Sequence, residues 1–161
     1  MDSMVRIYEE RADNELFAAK SLKKLSEDSD MKETFELPDK ITFYSSVISH
    51  SYYSIFYAAK AILLTKGIRT GPPSVHKKTY DEFKSRFVDT GILDVKLLNI
   101  YKSMVVKADV LLGIFKEAKK DRGKFTYNTI AQANKEPAED SIKKANIFVT
   151  NIGKVIRKNG H

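Results

Sequence analysis

The chain has 161 residues, 28 Lys/Arg against 21 Asp/Glu, and neither Cys nor Trp. That length suits one domain with a core of its own, and the lack of cysteine excludes disulfides, thiolate zinc sites and cysteine nucleophiles together. The charge is divided: residues 1–40 hold 7 Lys/Arg and 11 Asp/Glu, net −4, while residues 41–161 hold 21 and 10, net +11. Such a basic part either attracts an anionic partner, RNA or a nucleotide, or is a solvated surface.

The start, MDSMVRIYEERADNE, is polar and helix-like and has no basic segment leading into an apolar run, so a cytoplasmic protein is expected. Val5 to Ser26 predicts a first helix with Val5, Tyr8, Ala12, Leu16, Ala19 and Leu22 on one stripe. Glu27 to Asp39 is acidic and aperiodic and reads as a loop, with Asp39 placed to cap the next helix.

Ile41 to Lys66 has no Pro or Gly, and no charged residue stands between Lys40 and Lys60. One apolar stripe runs through Ile41, Tyr44, Ile48, Tyr52, Ile55, Ala59 and Ile62, and another through Phe43, Val47, Ser54, Tyr57, Ala61 and Leu64. A helix apolar on both sides is the central rod of a bundle. A membrane span is disfavoured, because Ser45, Ser46, Ser49, His50, Ser51 and Ser54 would need partners in lipid.

Gly67 is placed to end this helix in the left-handed conformation, and Gly71, Pro72 and Pro73 prevent regular helix immediately after it. Ser74 then caps a third helix carrying Tyr80, Phe83 and Phe87 and ending near Asp89-Thr90-Gly91. Asp94 caps a fourth, whose seam of Leu93, Leu97, Ile100, Met104, Ala108, Leu111 and Phe115 is long enough to suggest a dimer. A short extended piece at Phe125, Tyr127 and Ile130 precedes a fifth helix opened by Pro137, with Ala138, Ile142, Ala145, Val149, Ile152 and Ile156 facing the core. The expected fold is all-α: one domain over residues 1–161, an up-and-down bundle of about five helices around the long central one.

Chemistry is sparsely marked. The three histidines, His50, His76 and His161, lack metal-ligand spacing, so no metal or cofactor is expected. His50 reads as a hydrogen-bonded interior or partly exposed residue. His76, beside Lys77 and Lys78, is either a helix-start residue or an anion contact. Tyr52, Tyr53, Phe56 and Tyr57 read as core rather than as a base-stacking platform.

SHSYYSIFYAAKAILLTKG followed by PPSVHKKTYDEFKSRFV resembles the HEPN family (higher eukaryotes and prokaryotes nucleotide-binding). Tyr52, Tyr53, Phe56, Ala58, Ala59 and Gly67 match its first run; His76, Lys77, Phe83, Phe87 and Val88 match its second. Lys107-Ala108-Asp109 and Ala145 to Val149 extend the likeness. The resemblance implies a homodimeric helical module, often paired with a nucleotidyltransferase in toxin–antitoxin pairs, and in many members a metal-independent ribonuclease with Arg, four to six residues, then His. Here Val105 and Val110 stand where that motif's arginine and its His or Tyr would be, and Tyr57 stands where many members have His. Two readings are open. One is a binding module for a nucleotidyltransferase partner, a nucleotide or RNA, with Lys77, Lys102, Lys107 and Asp109 as candidate contacts. The other is a ribonuclease with substituted residues, His76, Arg69 and Lys107 being its candidates; Arg69 and His76 have six residues between them, across the proline break.

Overall fold

The computed structural model describes residues 2–114 and 134–160. Among these, six helices and no strand occur: α1 (Ser3–Glu27), α2 (Ser29–Thr34), α3 (Tyr44–Leu64), α4 (Val75–Phe83), α5 (Val95–Leu112) and α6 (Lys135–Asn159). The expected extended piece at Phe125 to Ile130 lies outside the described residues.

The central rod is α3. Its 21 residues span about 32 Å, and α1 and α6 lie along it with α5 and α4 against its other sides. Both expected stripes are used: Ile48, Tyr52, Ile55, Ala59 and Ile62 are buried, and so are Val47, Ser54, Ala61 and Leu64. Ala12 and Ala19 on α1 are also fully enclosed; such small side chains let two helix backbones approach closely. Among the described residues no helix is long and apolar enough to cross a membrane.

The ends of α3 differ from expectation at one side only. Asp39 does not cap it: a turn from Pro38 to Ile41 intervenes, and the Phe43 N–H donates to Ser26 Oγ at 2.7 Å. At the other end Gly67 has φ +71°, and the Ile68 N–H returns to the Leu63 carbonyl at 3.1 Å, closing the helix through the left-handed residue.

Glu27 to Asp39 is not all loop. Asp28 accepts the Met31 N–H at 3.0 Å and starts α2, and the buried Lys32 donates to the Asp39 carbonyl at 2.6 Å. Six residues are too few to show a period, so the helix is invisible to pattern.

Ser74 sits before α4 but caps nothing with its side chain; it adopts φ +59°, and its carbonyl receives the Lys78 N–H. α4 continues into a π-helical turn over Lys84–Val88. Asp94 does cap α5, accepting the Lys96 N–H at 2.7 Å. The α5 seam is consumed inside the chain: Leu93, Leu97, Ile100, Met104 and Ala108 are buried and Leu111 is half-buried, so this seam offers no dimer surface, and Phe115 lies outside the described residues. On α6 the core face turns further than the pattern indicates, because Ser141 and Phe148 are buried while Ile142 and Val149 are only partly so. Phe148 meets Phe83 and Tyr101 with ring centroids 5.3 and 5.6 Å apart, tying α4, α5 and α6 together.

Candidate nucleic-acid interface

Because α3 is covered on most sides, one narrow strip of it stays open. His50, Tyr53, Tyr57 and Lys60, at helical spacing, are half-buried there, whereas Tyr52 and Phe56 next to them turn inward. The strip lies between α1 and α4.

Three tyrosines form a ladder on it. Tyr53 stacks on Tyr57 (6.3 Å, 29° between planes) and Tyr57 on Tyr8 of α1 (6.0 Å, 16°). Two cations border the rings: the Arg11 guanidinium is 5.5 Å from the Tyr57 centroid, and Lys60 Nζ is 4.9 Å from that of Tyr8. At these distances each cation is held by a ring face, and neither makes an ion pair among the described residues. At the far end the polarity changes, since His50 Nδ1 lies 2.5 Å from a Glu15 carboxylate oxygen. Planar π surfaces beside positive charge are the two components that stack bases and neutralise phosphates.

His76 joins this strip from the first turn of α4. Its ring stacks on Phe56 at 4.4 Å and meets the edge of Tyr53 at 5.8 Å, and its Nδ1 lies 2.8 Å from the Tyr52 hydroxyl. Burial, together with the nearby Lys60 charge, lowers the His76 pKa, so the imidazole is neutral at physiological pH and able to take a proton.

Behind it is a buried polar cluster. Burial first, and then the neighbouring Tyr101, Tyr53 and Asp109, push the Tyr52 hydroxyl far above the usual phenol range; burial does the same to Tyr101. Both stay protonated; the Tyr52 hydroxyl pairs with His76, and the Tyr101 hydroxyl is enclosed behind it. Asp109 is 2% exposed, so it positions groups from within and has no surface from which to contact a ligand.

The remaining candidates are dispersed. Arg69 is exposed and pairs with Asp2 at 3.3 Å, at the start of α1 beside the C-terminal end of α3. Tyr52 and Phe56, which carry His76, precede Leu64 by two to three turns, roughly 12 to 18 Å. Arg69 and His76 have different partners: Arg69 pairs with Asp2, and His76 with Tyr52 and Phe56. Lys77 is exposed and pairs with Asp81 at 2.9 Å. Lys107 pairs with Asp140 of α6 at 2.9 Å and is committed to holding two helices together. Lys102 is exposed and makes no ion pair among the described residues. Val105 packs against the core and Val110 is half-buried; neither side chain can move a proton or bind phosphate. Among the described residues no group of three or more His, Cys, Asp or Glu is placed to hold a metal ion.

The segments that carried the resemblance thus converge: Tyr52 on α3, His76 on α4 and Asp109 on α5 meet around one hydroxyl. The HEPN domain family model matches residues 10–155. The chain belongs to the HEPN family. Among HEPN relatives it is 33% identical over 118 residues to the toxin-named protein MJ0142 of Methanocaldococcus jannaschii, covering 73% of this chain and 69% of that one. It is 30% identical to the toxin-named MJ0605 of the same organism (71% and 72% covered) and 29% identical to a UPF0332 protein of Thermotoga maritima (69% and 71%). No solved structure gives a significant match to this HEPN chain.

The residues missed by sequence reasoning are Tyr8, Arg11, Tyr53, Tyr57 and Lys60. Their signal was the run 50, 53, 57, 60 on α3, which places a histidine and a lysine on the same line as two tyrosines. A line that ends in Lys60 is not a fully buried one.

Proposed function

We propose that this chain is a toxin-like HEPN module that binds RNA, or a nucleotide as its smallest unit, across the strip between α1 and α4. The observation that carries this is the Tyr53–Tyr57–Tyr8 ladder bordered by Arg11 and Lys60. Bases stack on the rings, the cations take phosphate charge, and His76 borders the same surface. The nucleotidyltransferase partner and the homodimer implied by the resemblance belong to this proposal and rest on family membership and the relatives' names.

A second reading, metal-independent RNA cleavage, is favoured by one feature: a neutral, partly buried imidazole held by Tyr52 beside the strip. In it His76 takes the ribose 2′-hydroxyl proton while Lys60 or Arg11 stabilises phosphate charge.

The test is a mixed RNA pool with pure protein in EDTA, assayed for binding and for cleavage, beside Tyr57→Ala, Lys60→Gln and His76→Ala. Binding lost in Tyr57→Ala and Lys60→Gln supports the module. Cleavage lost in His76→Ala supports the second reading. Binding untouched by Tyr57→Ala and Lys60→Gln overturns the module, and cleavage untouched by His76→Ala, or no cleavage by wild type, overturns the second reading.

A further inference from the structure

Lys23 pairs with Glu139 at 3.3 Å near one end of α1, and Glu9 feels the Arg157 charge near the other, so α1 and α6 run antiparallel. A groove of about 320 Å³ opens between them. Its floor is made of small residues: Ala12 and Ala58 are buried, and Gly153 of α6 has no side chain. Glu9 and Asp13, one turn apart on α1, and Arg157 of α6 supply charge to its walls.

Gly153 sets the shape of this end. Glycine is unfavourable in the interior of a helix, but here a guanidinium takes the space that a side chain would fill. A Cβ on Gly153 would stand 3.1 Å from Arg157 Nη1 and 3.3 Å from Nη2. The missing methyl thus lets Arg157 fold back one turn along its own helix and lie over Gly153 at the groove.

The charges gathered there are not spent on one another. Neither Glu9, Asp13 nor Arg157 makes an ion pair among the described residues, yet Arg157 and Asp13 both act on Glu9, so the three share one end of the groove. Burial, opposed by the Arg157 charge and reinforced by Asp13, raises the Glu9 pKa, as for a carboxylate short of counter-charge.

The mixture of signs selects the ligand. A phosphate or a simple carboxylate on Arg157 would face Glu9 and Asp13, and a simple amine between the two acids would face Arg157. A group that carries both signs on neighbouring atoms satisfies all three. Farther along, the groove turns apolar at Leu16, Val149 and Phe17, and Lys20, about two turns beyond Asp13, lies 6.0 Å from the centre of the Phe17 ring. The volume is at the small end of the range for small-molecule sites.

We infer that the groove between α1 and α6 binds a free α-amino acid with an apolar side chain, its ammonium between Glu9 and Asp13, its carboxylate on Arg157 and its side chain against Leu16, Val149 and Phe17. The tyrosine strip lies between α1 and α4, so this site is separate from it and does not rest on RNA binding.

The experiment is isothermal titration calorimetry of the full chain with L-leucine, beside 4-methylpentanoate and 3-methylbutylamine, which keep its side chain and one charge each. Leucine is expected to bind, and each analogue to bind about tenfold or more weakly, because each leaves a charged wall of the groove without its partner. Asp13→Asn and Arg157→Gln are each expected to weaken leucine by about tenfold. Gly153→Ala separates the site from the fold: it improves helix propensity, so the melting temperature is kept or raised, while it displaces the guanidinium and weakens leucine severalfold. No binding of leucine at millimolar concentration overturns the proposal. So does equal binding of either analogue, or a leucine affinity that Asp13→Asn or Arg157→Gln leaves unchanged.

Discussion

The Tyr52 hydroxyl and His76 Nδ1, 2.8 Å apart, join the most buried helix of the bundle to the first turn of α4. Through this contact the position of the imidazole on the strip is set from inside the core. Tyr52→Phe keeps the ring and removes the hydroxyl from His76, Tyr101 and Asp109, leaving part-buried polar groups short of a partner. Stability is expected to fall by about 1–3 kcal/mol, read from urea unfolding. A smaller change would mean that water replaces the hydroxyl.

Stability should also depend on pH through His76. Burial and the Lys60 charge lower its folded pKa below the ordinary 6.5, so the unfolded chain takes up the proton first. Stability therefore declines as pH falls from about 6.5 towards the folded value, and the decline is complete below it. In His76→Gln the melting temperature should fall less between about pH 7 and pH 5 than in wild type. Equal slopes in the two proteins would show that the imidazole is solvated in the folded state.

How far the site was legible depends on which neighbours each residue needs. The central helix, the Gly67 stop and the Asp94 cap rest on local chemistry and can be read from the chain. Tyr52 and Tyr53 are adjacent and chemically identical, yet one is enclosed and the other half-open; only the placement of α1 and α4 along α3 separates them. Similarly, Lys107 has the right charge for an anion contact, but Asp140, 33 residues later, claims it. α2 depends on the Asp28 cap and the Lys32–Asp39 contact, of which the second is tertiary.

Binding of RNA should separate the two components of the strip. Tyr57→Phe retains the stacking face and should bind nearly as wild type, whereas Tyr57→Ala should lose about 1–3 kcal/mol, the usual value of one stacked base. Lys60→Gln should weaken binding to all sequences alike and reduce the salt slope by about 1. A Tyr57→Ala variant that binds normally would move the interface elsewhere on the molecule.

The Lys107–Asp140–Lys144 network should matter to stability and not to RNA. Asp140 accepts from both lysines at 2.9 Å. Burial alone would raise its pKa, but the hydrogen bonds from Lys144 and Lys107 and their charges outweigh this and lower it. Its contribution is therefore present above the unfolded value of 3.8 and is lost as pH falls through the folded one. With Asp140 about half exposed, solvent screening holds the loss in Asp140→Asn to under about 1 kcal/mol, and RNA affinity should not change.

Arg69 supplies the sharpest contrast with His76, because spacing in the chain makes them look like partners. Arg69 is two-thirds exposed, and its contact with Asp2 is a single surface ion pair at 3.3 Å. Such pairs contribute about 0–1 kcal/mol. Arg69 is held by Asp2, whereas His76 is held by Tyr52 and Phe56 beside the strip. Arg69→Ala should leave stability within about 0.5 kcal/mol of wild type and leave RNA binding and any cleavage unchanged, while His76→Ala alters both. Should Arg69→Ala abolish cleavage while stability is kept, Arg69 would have to leave Asp2 and join His76 during the reaction.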